Sequence, residues 1–298
     1  MSQPMRIVAA TDLSAPARRA AERAASVSID TASALDLVHV ADLGTLERLR
    51  ERIAGLPSGL EVQVLDTARE RLEALAESIR QTYGVVVATH VTSGPLLASL
   101  SDQASALRAD LLVCGAKGES LLRHWVLGST ATRLLSTAAQ PVLIVKQAPR
   151  GPYKKVLVAV DFSSYSLAAI QAARRIAPKA GIVLFHAFEL PFEGTMRYAQ
   201  VAESAIDPYR NAARDEALSR LKRLRDLAGL SPMQATVRVR HGNPTLRIVE
   251  EEQALDCDLI VMGKHGEGFV QELLVGSVTR RVLSECSGDV LVSTHKSD

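Results

Sequence analysis

One pattern occurs twice in this chain and limits what the chain can fold into. The apolar run Leu111-Leu112-Val113-Cys114 leads into Gly115-Ala116-Lys117-Gly118, and nine residues later comes Gly128-Ser129. At an offset of 148 positions, Leu259-Ile260-Val261-Met262 leads into Gly263-Lys264-His265-Gly266, and nine residues later comes Gly276-Ser277. Each copy reads as a strand, a glycine turn and a helix start. Glycine lets the backbone approach an anion closely, while free amides and the dipole of a helix start attract negative charge. A lone glycine pattern would mean little. Its repetition at a matching offset makes the chain an internal repeat around two phosphate-type cradles.

The remaining sequence follows the same repeat. Arg6-Ile7-Val8-Ala9-Ala10 is nearly all apolar, as a strand covered on both faces should be. It ends at Thr11-Asp12, and Asp12-Leu13-Ser14 opens an alanine-rich helix with Ser14 as N-cap and Pro16 in the first turn. At an offset of 149, Val156 to Ser163 repeats that strand and its Asp-x-Ser. Further strands are expected at residues 35–40, 85–88, 111–114 and 142–145, with helices at 67–83, from Gly94-Pro95 to about 109, and from Gly128-Ser129 to about 137. The second half offers strands at 183–187, 237–239 and 290–292. In it His186 stands for His39, Asn243-Pro244 stands for Gly94-Pro95, and a polar helical region spans about 195–229. Pro149, Gly151 and Pro152 mark a linker at 147–153, which divides the chain into domains 1–147 and 153–298. Strands alternating with helices imply parallel sheets. The fold expected is α/β: two tandem three-layer α/β/α domains, each with a five-stranded parallel sheet. Ligands of such sheets sit beyond the carboxyl ends of the strands, near the switch in strand order. Asp12, Val40 and the Gly115 loop fall there in one half; Asp161, Ala187 and the Gly263 loop fall there in the other.

Composition narrows the function. The 298 residues suit two domains, 47% are apolar and 23% charged, and 35 basic residues face 33 acidic ones. That balance, with only 4% aromatic residues, argues against nucleic acid as the ligand. Cys114, Cys257 and Cys286 have no disulfide or metal-ligand spacing and read as buried thiols. No secretory pattern and no 18-residue apolar run occurs, so a cytoplasmic protein without membrane contact is expected. His39 and His186 read as packed, hydrogen-bonded side chains, and His90, His124, His241 and His295 have neither metal nor triad spacing. Trp125 reads as surface packing or a domain contact. The arginine-rich stretch at 210–225 reads as a solvated helix face.

These residues together resemble the universal stress proteins, in two tandem copies covering nearly the whole chain. The ATP-binding subgroup of that family carries Gly-x-x-Gly, nine residues and Gly-Ser/Thr, which both halves fit, and the fold is related to the adenine nucleotide α-hydrolases. The resemblance implies that Asp12 and Asp161 contact a ribose or a phosphate-bound Mg²⁺, and that Val40 and Ala187 meet adenine through their backbone. It also implies that Gly115, Gly118, Gly128 and Ser129, and likewise Gly263, Gly266, Gly276 and Ser277, wrap the phosphates of ATP or another adenine nucleotide. It implies pairing of the halves through residues 142–145 and 290–292 as a pseudo-dimer, a possible homodimer and an unidentified protein partner. Glu119 and Glu267, just after the second glycines, depart from the family, with Lys117, Lys264 and His265 nearby to offset them. The function implied is an ATP-binding stress-response sensor whose loops 119–127 and 267–275 order on binding, rather than a fast enzyme. Two alternatives stay open: slow ATP or nucleotide hydrolysis, for which no Walker lysine pattern is present, and a nucleotide-free interaction module.

Overall fold

In the computed structural model, which describes residues 4–44, 59–116, 127–264 and 275–294, the chain divides into two compact units, Met1–Pro152 and Tyr153–Asp298. In the first unit, β1 (Arg6–Ala10) and β2 (Ala34–Ala41) flank α1 (Ala15–Thr31) in sequence, followed by α2 (Leu60–Tyr83), β3 (Val87–Ser93), α3 (Leu96–Ala106), β4 (Leu111–Gly115), α4 (Ser129–Thr137) and β5 (Val142–Val145). The strands run β3-β2-β1-β4-β5, and the pairings are parallel. Helices α1 and α2 pack together on one face of this sheet, and α3 and α4 pack together. Ile7, Val8, Leu37, Leu111 and Leu143 between these layers are fully or almost fully buried.

The second unit repeats the plan with β6 (Lys155–Ala159), α5 (Ser164–Ile176), β7 (Gly181–Phe188), α6 (Glu193–Tyr198), α7 (Glu203–Leu227), β8 (Ala235–His241), α8 (Pro244–Leu255), β9 (Leu259–Gly263), α9 (Ser277–Glu285) and β10 (Asp289–Ser293). Its order is β8-β7-β6-β9-β10, again with parallel pairings. Helix α7 packs on β7 and β8, α5 on β6 and β9, and α8 against α9. Each unit is thus α/β with helices and a parallel sheet in three layers. In each, the order reverses beside the first strand: β1 lies between β2 and β4, and β6 between β7 and β9.

Several boundaries differ from the sequence expectation. Helix α2 starts at Leu60 rather than 67, after Gly59 at φ 117°. Its first turns carry Val62 and Val64 on the solvent side, 59% and 36% exposed, so their apolarity gave no core signal. Strand β3 covers 87–93 rather than 85–88, because Val86 projects into solvent at 89% exposure. Helix α3 ends at Ala106 rather than near 109. The polar region at 195–229 is two helices, α6 and α7.

Candidate functional site

The Asp-x-Ser turn that follows the first strand has the same backbone form in both units but different side-chain bonds. Ser14 caps α1, its side chain accepting from the Ala17 amide. Asp12 Oδ1 accepts from the Ser14 amide at 3.0 Å. In the second unit Asp161 Oδ1 accepts from the Ser163 amide at 3.0 Å, the Ser163 hydroxyl at 2.7 Å and the Ser166 hydroxyl at 2.9 Å. The residue between Asp and Ser, Leu13 or Phe162, has φ 64° in each case. That left-handed conformation costs a residue with a Cβ roughly 1–2 kcal/mol, so something nearby must hold it. His39 and His186 help, as packed side chains: Nδ1 of each donates to the carbonyl of Thr11 at 2.9 Å or Val160 at 2.7 Å.

Strand alternation explains what Val40 and Ala187 offer. The Thr11 amide binds the Val38 carbonyl, and the Val160 amide binds that of Phe185. Backbone groups two residues along a strand point to the same side. The amides and carbonyls of Val40 and Ala187 therefore turn toward the first strand of their unit, just past the point where its pairing with the second strand ends, at Ala10↔Val38 and Ala159↔Phe185. This places a donor and an acceptor beside each Asp turn, at the switch in strand order.

The glycine pattern supplies the third wall. The Gly128 amide donates to the Ala116 carbonyl at 2.8 Å, and the Gly276 amide to the Lys264 carbonyl at 3.0 Å. These two bonds clasp the roots of the intervening stretches and bring each Gly-Ser pair to the end of β4 or β9. They also commit the Gly128 and Gly276 amides. Both glycines are N-caps without a side-chain capping bond, and the first intrahelical bonds start at Thr132 and Arg280. The first-turn amides of Ser129, Thr130 and Ala131, and of Ser277, Val278 and Thr279, are thus the ones a helix start presents to an anion. Gly118, Gly266, Lys117, His265, Glu119, Glu267, His124, Trp125 and His295 lie outside the described residues, as do 119–126 and 267–274 of the two loops.

In the second unit these pieces surround a cavity of about 300 Å³. Asp161, Ala187, Gly263, Gly276 and Ser277 all line it, with Val278 and Thr279 from the first turn of α9 and apolar walls from Ile248 and Met262. Thr279 Oγ1 donates to the Gly263 carbonyl at 3.2 Å, tying α9 to β9. The size sits at the lower end of small-molecule pockets. In the first unit Asp12, Val40, Gly115, Gly128 and Ser129 occupy the matching strand ends and helix start.

The cysteines are buried free thiols. Burial pushes Cys114, one residue before Gly115, up to about 12, and Cys257 up to about 11, which favours the thiol over the thiolate near neutral pH. Among the described residues no cluster of three metal-ligating side chains occurs, and no described helix is long and apolar enough to cross a membrane. Sequence reasoning missed Arg210 and Arg220, two members of the supposedly solvated arginine face. Arg210 bridges Glu193, Glu203 and Asp207. The Arg220 guanidinium carbon stands 4.0 Å from the centroid of the Phe162 ring.

Comparison with known proteins agrees with the repeat. The model of the Universal stress protein family matches residues 4–146 and again 152–294. A universal stress protein of Mycolicibacterium smegmatis is 28% identical over 241 residues, 76% of this chain and 76% of that one. Another, from Mycobacterium tuberculosis, is 26% identical over 203 residues, 67% of this chain and 62% of that protein's length. A crystal structure of a universal stress protein from Archaeoglobus fulgidus matches with a TM-score of 0.71 at 18% identity, covering 99% of this chain and 100% of that one. At that identity the likeness shows a common fold.

Proposed function

We propose that this chain, which belongs to the universal stress protein family in two tandem copies, binds ATP or another adenine nucleotide in the cytoplasm and acts as a sensor rather than a fast enzyme. The observation that carries the reading is the cavity of the second unit, where an Asp turn, an open strand edge and a helix start without a side-chain cap meet. Each wall suits one part of a nucleotide. The first-turn amides of α9 suit the phosphates. The amide and carbonyl of Ala187 offer the paired donor and acceptor that the edge of a base requires. Asp161 keeps Oδ2 outside its three internal bonds, and a carboxylate there suits ribose hydroxyls. Mg²⁺ is held mostly by phosphates and one or two carboxylates, so Asp161 suits a triphosphate-bound ion as well.

The first unit presents the same turn, strand edge and helix start, and a second nucleotide there belongs to the proposal. A homodimer and a protein partner that reads the occupied state belong to it too. Acid extraction of nucleotide from the purified protein, followed by titration calorimetry with ATP, ADP and AMP, tests the reading. Bound ATP at a hundred times its Kd should stabilise the fold by about 2.7 kcal/mol per site. Absence of extracted nucleotide together with no heat and no thermal shift for any of the three would end it.

A further inference from the structure

The two Asp turns share a strained backbone but hold it by different means. In the first unit the Thr11 hydroxyl accepts from the amide of Leu13, the residue at φ 64°, at 3.0 Å. In the second unit the matching position is Val160, which has no hydroxyl to accept from Phe162. Here a column of three side chains stands instead. The Phe162 ring lies 4.4 Å, centroid to centroid, from the imidazole of His186 at a tilt of 45°. Over that ring sits the Arg220 guanidinium at 4.0 Å. His186 in turn binds the Val160 carbonyl and lines the cavity. The column therefore starts on α7, crosses the turn and ends in the cavity wall.

We propose that Arg220 and Phe162 are positioning residues for the second-unit site. They press the 160–162 turn into its left-handed form, so that Asp161 and His186 face the cavity before a ligand arrives. The column replaces the hydroxyl that Thr11 supplies in the first unit. A cation over an aromatic face is attracted by the ring quadrupole and holds the ring against its far neighbour. Leu13 offers no such ring, so α2 has no equivalent part to play. The proposal rests on the nucleotide reading of the same cavity for its effect on affinity, and on the free protein for its effect on the turn.

The test uses the full-length protein, with ATP affinity read site by site at the Ser277 amide by NMR and the His186 tautomer read from ring ¹⁵N shifts without ligand. Arg220→Gln should weaken ATP binding about two- to fivefold and move His186 away from its Nδ1–H tautomer, whereas Arg220→Lys, which keeps a cation, should change both less. Adding Val160→Thr to Arg220→Gln should restore the affinity, because it supplies the first unit's hydroxyl. A variant acting only through loss of fold would not be rescued in this way. Wild-type affinity and an unshifted His186 in Arg220→Gln would overturn the proposal, as would failure of the added threonine to rescue. If the wild-type protein binds no ATP, the nucleotide reading falls. The positioning role is then decided by His186 alone: a shift in Arg220→Gln supports it, and no shift overturns it.

Discussion

Asp12 and Asp161 end equivalent strands and precede residues of identical φ, yet their surroundings divide the work differently. Around Asp12 the labour is split: Ser14 spends its side chain on capping α1, Thr11 fixes Leu13, and the carboxylate accepts the Ser14 amide. Around Asp161 it is concentrated on the carboxylate. Ser163 makes no side-chain cap to α5; its hydroxyl turns to Asp161 instead, joined by that of Ser166. The backbone geometry is common to both copies and the side chains that enforce it are interchangeable. The second copy converges two hydroxyls on the acid, which fixes the direction of Asp161.

The largest test of that contrast removes the acid on which the hydroxyls converge. Asp161→Ala leaves three donors without their acceptor and should cost about 3 kcal/mol. Hydrogen exchange of the β6 amides reads the cost in the second unit, and a loss below about 1 kcal/mol would break the comparison. Next in size, Ser14→Ala should destabilise the start of α1 by about 1 kcal/mol, visible as faster exchange of the Ala17 amide. Ser163→Ala should leave the first turn of α5 exchanging as before and weaken nucleotide binding instead. A smaller change sharpens the comparison from the other side: Ala17→Ser gives the first unit the counterpart of Ser166 and should add roughly 0.5 kcal/mol or less, read by urea denaturation.

The smallest expected effect concerns acid. The Arg210 guanidinium, with His241 beside it, holds Glu193 below its ordinary 4.5, and Arg80 with Thr89 does the same for Glu73. A carboxylate lowered in the folded state stabilises above its ordinary value and loses that contribution as pH falls below it. Both units should therefore weaken on acidification below about 4.5. Glu193 is the better sheltered, with a side chain 12% exposed against 52% for Glu73, so Glu193→Gln should flatten the acid dependence of the second unit more than Glu73→Gln flattens that of the first. An acid titration followed by exchange in each unit checks this.

Much of this was legible in the sequence because the telling residues act locally. Strand β1, the Ser14 cap and the helix starts at Ser129 and Ser277 follow from apolar runs, capping chemistry and glycine spacing that need no distant partner. Val62, Val64 and Val86 misled for a physical reason: they are apolar residues that face solvent, so their pattern reported no burial. Arg220 was hidden among Arg214, Lys222, Arg223 and Arg225, since nothing within its own helix distinguishes it. The available signal lay far off in the chain, in the pairing of Val160 with Phe162 where the first copy has Thr11 with Leu13. A missing hydroxyl next to a new ring is a hint that a different restraint has been recruited.

The bonds from Gly128 to Ala116 and from Gly276 to Lys264 have an engineering consequence. Each pins the two ends of its intervening stretch together, so the helix that follows starts from an anchor in the sheet and not from the stretch itself. Lengthening a segment whose ends are already joined costs little closure entropy. Foreign peptide spliced between those anchors should leave the starts of α4 and α9 undisturbed, which would make either position a port for a reporter.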